Sequence, residues 1–363
     1  MNLQEARLQW AQHRGALEAK GVILPDVICY ASDEAKRDYT IAMDAMPAIS
    51  TTSNAAVPWG LTNYMDPEVI RFVFAPTEAA KILTEQKKGT WLDDTIMFHV
   101  VEHVGEVSSY GDFNTNGRSG VNTNWPQRQS YHFQVMKEYG EREIERAGLS
   151  RLNWVSEIDM AAADILGRFS NYTYFFGVNG LQNYGLLNDP NLSASLTPAT
   201  KAYGGVLWMN GTAIVATANE IYNDIVAMYA QLVSQTAGVV KANDKMVLAM
   251  SPGSSVALTA TNSFGVNVSD LLKKNYPNIR IESGAVQYGA VSSSNPQGIA
   301  GGNLVQLIAE TMDGQSTGFV AYTEKMRAHK IVPDVSSFKQ KVTSGTWGAV
   351  ITRPTAIASM LGV

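Results

Sequence analysis

Cysteine is nearly absent: Cys29 is the only one in 363 residues, so no disulfide can form within the chain. That usage fits a reducing compartment. Charge is also scarce, with 17% charged residues and a net charge of -5. An acidic total argues against a chain whose main task is gripping nucleic-acid phosphates, although a local patch could still touch them. No run of about 18 apolar residues occurs, so no membrane span is expected. The N-terminus carries Glu5, Arg7 and His13 among its apolar residues and does not read as a secretory signal. There is no Walker loop, no G-x-G-x-x-G and no Cys-x-x-Cys. Lysine is missing from the whole stretch 89–136.

What is present suffices for a core. Hydrophobic residues make up 45%, and the length suggests two domains or one large discontinuous one. Residues 3–19 read as a short amphipathic helix with Leu3, Ala6, Trp10 and Leu17 on one stripe. Residues 20–60 lose periodicity, and so long a structureless stretch is uncommon inside one compact domain. An arm lying across another subunit would satisfy it. Asp66-Pro67 opens a short helix through Val69, Ile70 and Val73. Pro76 opens a second through Ala80 and Leu83, ended by Lys87-Lys88-Gly89.

Residues 95–107 and 127–136 have strand character. In the second, Gln129, Tyr131, Phe133 and Val135 alternate with Arg128, Ser130, His132 and Gln134. The Gly/Asn-rich stretch from Gly111 to Gly120 lies between them, which predicts one long hairpin with a mobile tip. The strongest helix signal follows. Trp154, Ile158, Ala161, Ile165, Phe169, Tyr172 and Phe176 recur at spacings of three and four, with Asn153 as N-cap and Gly177 as stop. This stripe is expected to face the core, so Ile165→Asp is expected to block folding. Trp154, Phe169, Phe175 and Phe176 are read as core rather than as a ligand cage.

Further on, Ile221, Ile225, Met228 and Leu232 mark a helix. Met246-Val247-Leu248-Ala249-Met250 marks a buried strand ended by Ser251-Pro252-Gly253. Ile279-Arg280-Ile281 and Gly318-Phe319-Val320-Ala321-Tyr322 mark others. Trp347-Gly348-Ala349-Val350-Ile351 and Arg353-Pro354-Thr355-Ala356-Ile357 close the chain.

This order of arm, hairpin, long helix, α/β region and returning strand resembles the major capsid proteins of tailed bacteriophages. Their Hong Kong ninety-seven type capsid fold is shared with encapsulin shells. Specific blocks carry the resemblance. They are Gly105-Glu106-Val107-Ser108-Ser109-Tyr110-Gly111-Asp112, Trp125-Pro126-Gln127-Arg128-Gln129-Ser130-Tyr131-His132-Phe133, and Tyr174-Phe175-Phe176-Gly177 with Gly180-Leu181-Gln182-Asn183-Tyr184-Gly185-Leu186-Leu187-Asn188. It covers roughly residues 55–363.

The resemblance implies an α+β fold. Residues 1–60 would be an N-terminal arm, 61–88 part of the P domain, 89–138 the extended E-loop, and 139–178 the P domain with its long spine helix. Residues 179–330 would form the α/β A domain, 331–352 the return to the P domain, and 353–363 a last A-domain strand. It implies a structural protein and not an enzyme. Copies would self-assemble into hexamers and pentamers of an icosahedral head shell around double-stranded DNA. The implied partners are copies of itself, portal and scaffold proteins, a decoration protein, and packaged DNA through non-specific contact, with no membrane. The implied place is the virion, assembled in the host bacterial cytoplasm. An encapsulin-like compartment is the alternative on the same fold. Some family members cross-link subunits through an E-loop lysine. The lysine-free stretch 89–136 predicts that this chain does not.

One short motif suggests another class. His99-Val100-Val101-Glu102-His103 matches H-x-x-E-H, the inverted zincin pattern. Zinc needs imidazole nitrogens at about 2.0–2.1 Å, which a helix offers at i and i+4. On a strand the same two histidines stand about 13 Å apart. Val100, Val101, Val104 and Val107 favour strand, and no third ligand is evident. A zinc-dependent hydrolase through His99, Glu102 and His103 is therefore the remote alternative. No catalytic, cofactor-binding or metal residue is expected, and no cofactor. Ser251-Pro252-Gly253-Ser254-Ser255 reads as a plain turn rather than an anion site. Glu141, Glu143 and Glu145 with Arg142, Arg146 and Arg151 form a charge cluster, either a solvated helix face or intersubunit ion pairs.

Overall fold

The computed structural model describes residues 77–149, 153–293 and 295–363. The expected arm at 1–60, its helix at 3–19, the Asp66-Pro67 helix and Arg151 lie outside them.

Among the described residues the chain opens with α1 (Ala79–Ile82) and β1 (Glu85–Lys87). Then come β2 (Thr95–Met97), β3 (Val100–Glu106), β4 (Arg118–Asn124), β5 (Gln127–Gln129), β6 (Tyr131–Gly140), α2 (Glu141–Leu149) and α3 (Trp154–Phe176). The second half holds β7 (Met209–Asn210), β8 (Ala213–Ile214), α4 (Ala218–Gln235), β9 (Met246–Met250), α5 (Pro252–Val256), α6 (Val268–Asn275), β10 (Ile279–Glu282) and β11 (Leu304–Ala309). It closes with β12 (Thr311–Met312), β13 (Gln315–Ser316), β14 (Gly318–Pro333), β15 (Ser337–Ile351) and β16 (Ile357–Leu361).

Two four-stranded sheets organise these elements. One runs β10-β9-β11-β16, with β10 parallel to β9 and the other pairs antiparallel. Every residue of β9 and β11 is buried. β9 is the continuous apolar run that a strand covered on both faces calls for, and the one polar residue of β11, Gln306, accepts from the Tyr288 hydroxyl at 2.7 Å. Helix α4 covers this sheet with Ile221, Ile225, Met228 and Leu232, as their spacing predicts. Fully burying each such side chain contributes about 1.5–3 kcal/mol. A capping box starts α4: Thr217 accepts from Glu220 N, and the Glu220 carboxylate accepts from Thr217 N at 2.8 Å. On the same helix, buried Asp224 accepts from Lys201 Nζ at 2.5 Å and Trp208 Nε1 at 2.7 Å. A charge buried this deeply needs such partners.

The other sheet runs β1-β14-β15-β6. Its spine is the long antiparallel pair β14–β15, whose register slips repeatedly from Ala321 to Ile331. Helix α3 lies on it, capped at Asn153, whose side chain accepts from Ser156 N at 3.4 Å. The Lys137 ammonium on β6 donates to Asp159 on α3 at 2.6 Å. Tyr174 on α3 donates to Glu85 on β1 at 3.1 Å, and Lys325 on β14 bonds the other oxygen of that carboxylate. Burial first, and the Glu85 charge second, push the Tyr174 phenol above its ordinary value, so it stays a donor.

The structure differs from the sequence expectations in four places. First, α1 ends at Ile82, and Glu85–Lys87 pairs in parallel with 320–322 of β14 rather than closing a helix. Second, the strand read at 318–322 runs on unbroken to Pro333, paired with β15 along its length. Third, residues 131–140 do not pair within the hairpin. They form the edge of the β14–β15 sheet, from Tyr131↔Thr346 to Gly140↔Ser337. Tyr131 and Phe133 therefore find a partner in their own chain, with Phe169 of α3 at 6.2 and 4.6 Å between ring centroids. Fourth, the face of α3 turned to the core carries Ala162, Leu166, Thr173, Tyr174 and Phe175. Ile165 is 46% exposed, and Trp154 and Phe169 are also exposed. Phe175 is core as expected, with Phe176 partly buried against the same cluster.

Candidate assembly interface

The hairpin has a root held by the chain and a blade that is not. At the root, β2 pairs with β5, and Ile96 and Phe98 pack on Phe319, Ala321, Trp347 and Val350. The indole of Trp347 donates to Lys88 O at 2.9 Å, clamping the strand that leads into the root. Arg128 on β5 reaches the loop after α3: its guanidinium donates to buried Asp189 at 3.0 Å and lies over the Tyr184 ring at 4.8 Å. Gln129 N donates to Gln182 O, and Gln182 N donates back to the Gln129 side chain, both at 3.0 Å. Asn183 Nδ2 donates to Gln129 O at 3.0 Å and Thr346 O at 3.2 Å. The 125–133 and 180–188 blocks are thus one junction in space.

Glycine is required at this junction. A Cβ on Gly185 would stand 2.2 Å from the Phe175 carbonyl. Gly348 has φ 72°, and a Cβ there would stand 2.3 Å from Tyr184 O.

Beyond Phe98 the blade is β3 and β4, paired from Val100↔Asn124 to Glu106↔Arg118. Every residue of both strands is exposed. The tip is ordered by its own polar groups: Asn114 Nδ2 donates to Ser109 O at 2.7 Å, and Tyr110 donates to Asp112 at 2.8 Å. Its apolar groups stand free, with Phe113 100% exposed, and Val107, Val121 and Trp125 exposed as well. A two-stranded ribbon without a covering layer is marginal in water. The apolar area it leaves wet is area a neighbour could bury at about 25 cal/mol per Å².

The zinc motif falls on this blade. Val100–Glu106 is strand, as the valines predict, and His99 stacks on Trp125 at 4.3 Å instead of approaching His103. Among the described residues no group of three His, Cys, Asp or Glu side chains could hold a metal ion. Apart from Arg151, which lies outside the described residues, the charge cluster is on α2, none of whose residues is buried. Ser251 is a helix cap, accepting from Ser254 N at 3.1 Å.

Further apolar side chains are left uncovered. Trp154 and Ile165 mark the outer face of α3, Met326, Ile331 and Val332 the distal part of β14, and Phe264 the α5–α6 loop. Sequence reasoning missed β4, the Arg128–Asp189 pair and the length of β14. For β4 a signal existed in the β-branched Val121 and Thr123. For the ion pair there was none, because its partners stand 61 positions apart.

Chains of the same fold are found in phage and phage-like shells. The capsid protein of Myoviridae phage XM1 matches with a TM-score of 0.67 at 13% identity, covering 86% of this chain and 100% of that one. The capsid of a native GTA particle matches with a TM-score of 0.56 at 10% identity, covering 86% of this chain and 100% of that one. Mycobacterium phage Ogopogo matches with a TM-score of 0.53 at 12% identity, covering 84% and 98%. No curated relative matches the chain. The family model described as Pa193 gp26 major capsid protein matches residues 48–362. The chain belongs to this family of major capsid proteins, and its fold is the phage capsid fold that the sequence blocks suggested.

Proposed function

We propose that copies of this chain form hexamers and pentamers, and that these close into an icosahedral head shell around double-stranded DNA. The observation that supports this reading is the blade, whose two strands are exposed along their whole length. In this reading residues 89–130 form the E-loop, and its blade lies over the adjacent subunit. The β1-β14-β15-β6 sheet with α3 is the P domain, and the β10-β9-β11-β16 sheet is the A domain. Assembly takes place in the host cytoplasm with portal and scaffold proteins, and a decoration protein is a possible addition to the finished shell. The chain acts as structure and not as an enzyme. Without an E-loop lysine the shell is held by non-covalent contacts, so boiled particles should run as one band near 39 kDa.

The test replaces residues 112–124 by a short Gly-Ser turn. The variant loses the tip and β4, and the rest of the subunit should keep the helical far-ultraviolet circular dichroism of the wild type, because β4 pairs only with β3 among the described residues. Its shells should come apart at a lower temperature than wild type. Shells of equal heat stability would show that the blade is not an intersubunit clamp.

A further inference from the structure

The loop between α5 and α6 presents Phe264, which is 88% exposed although the loop is tightly built. Asn262 Oδ1 accepts from Phe264 N and Val266 N, each at 3.0 Å. Asn262 N donates to Val266 O, and Gly265 N donates to Asn262 O, both at 2.9 Å. Gly265 sits at φ 76°, a left-handed position that suits glycine. Asn267 then caps α6 by accepting from Asp270 N at 2.8 Å. The phenyl ring therefore stands on a pre-formed turn, and little ordering cost remains for a contact it makes.

Elsewhere in the same domain is a cleft of about 1030 Å³. Met209, Val256, Val286 and Ala290 supply its apolar wall, and Thr212 and Asn295 polar groups. No described residue lining it is charged. The knob is uncharged too, since no charged residue occurs between Lys245 and Asp270. Depletion of charge with an aromatic at the centre is the composition of an interface core.

Topology places both features at one end of the sheet. The cleft includes Ser251, which follows β9, and Asn303, which precedes β11 where Val305 faces Met250. Helix α6 leads down to β10, whose Ile279 faces Met246 at the opposite end of β9. The loop before α6 is therefore at the Met250 end. Phe264 does not fill its own chain's cleft, because it is exposed.

We propose that Phe264 of one copy seats in this cleft of the next copy around a ring. The proposal rests on the shell reading above and adds the residues that meet. A knob and a socket on different parts of one surface make a heterologous contact, the kind that closes rings.

The test uses a Cys29→Ser background carrying both Phe264→Cys and Thr212→Cys. Mild oxidation of assembled particles should give a non-reducing gel ladder of multiples up to the ring size, absent from either single variant. Phe264→Ser should leave the circular dichroism of the unassembled subunit unchanged and abolish or weaken particle formation, with Phe264→Leu restoring it. Normal particles from Phe264→Ser, or wild-type-like particles whose double-cysteine variant runs as one band, would overturn the contact while leaving the shell reading intact. Wild-type chain that forms no particles would sink both.

Discussion

Strands β9 and β3 both carry apolar residues, β3 with Glu102, His103 and Glu106 among its valines, and meet opposite fates. Met246-Val247-Leu248-Ala249-Met250 is buried throughout, between β10 and β11 and under α4. Val100-Val101-Glu102-His103-Val104 is exposed throughout, paired only with β4 among the described residues. Both have β-branched or apolar residues suited to a pleated surface. The difference lies in what covers them. The first strand is stabilised by its own chain, and the second has apolar side chains left for a neighbour. Subunit folding and shell stability should therefore respond to different substitutions.

The largest effect on the subunit should come from Leu248→Asp. It places an unpaired carboxylate in the centre of the β9 sheet and should cost more than about 4 kcal/mol. The expected outcome is insoluble chain, and soluble subunit with native circular dichroism would contradict the burial. Next is Arg128→Met at the hairpin root. It leaves the Asp189 carboxylate buried without its cation, a loss of about 3–5 kcal/mol. Urea unfolding should show it, and the paired change Arg128→Met with Asp189→Leu should recover much of it. Gly185→Ala should cost about 1–3 kcal/mol, since the Phe175 carbonyl must move.

Ile165→Asp separates the two regimes. The side chain is half exposed in the single chain, so subunit stability should change by about 0.5 kcal/mol or less. Particle yield on a sucrose gradient should nonetheless fall, because the apolar α3 face is left for a partner. Unchanged particles would show that this face stays in water. The smallest effect belongs to His99→Ala and His103→Ala. Assembly should be the same with or without chelator, and elemental analysis should find no stoichiometric zinc.

Legibility of the sequence followed burial within the chain. The α4 stripe was read correctly because Ile221, Ile225, Met228 and Leu232 all face one sheet of the same molecule. On α3 the periodicity was real but the face was not. Trp154, Ile165 and Phe169 form an apolar stripe, yet the core face is carried by Ala162, Leu166, Thr173 and Phe175. Helical spacing cannot tell a stripe covered by its own chain from one left for another copy. The strand β14 was read only from Gly318 to Tyr322. Beyond that, register shifts break the alternation that period-two reading depends on. The blade was legible as a hairpin, but its second strand was taken for loop, because Gly120, Asn122 and Asn124 surround Val121 and Thr123.

By itself the sequence determined the class: an α+β chain with one cysteine, no apolar run long enough for a membrane helix, and blocks specific enough to point to the capsid family. It also determined the core strand β9 and the Asn153 cap, because those depend on local spacing and on groups a few residues apart, whereas the buried strand β11 went unread. Only the tertiary structure decided that residues 131–140 leave the hairpin for the β15 edge, and that Arg128 meets Asp189. It alone decided which α3 stripe stays uncovered. Each of these is a pairing between distant segments, fixed by which surfaces and charges can be covered together, and no local pattern records it.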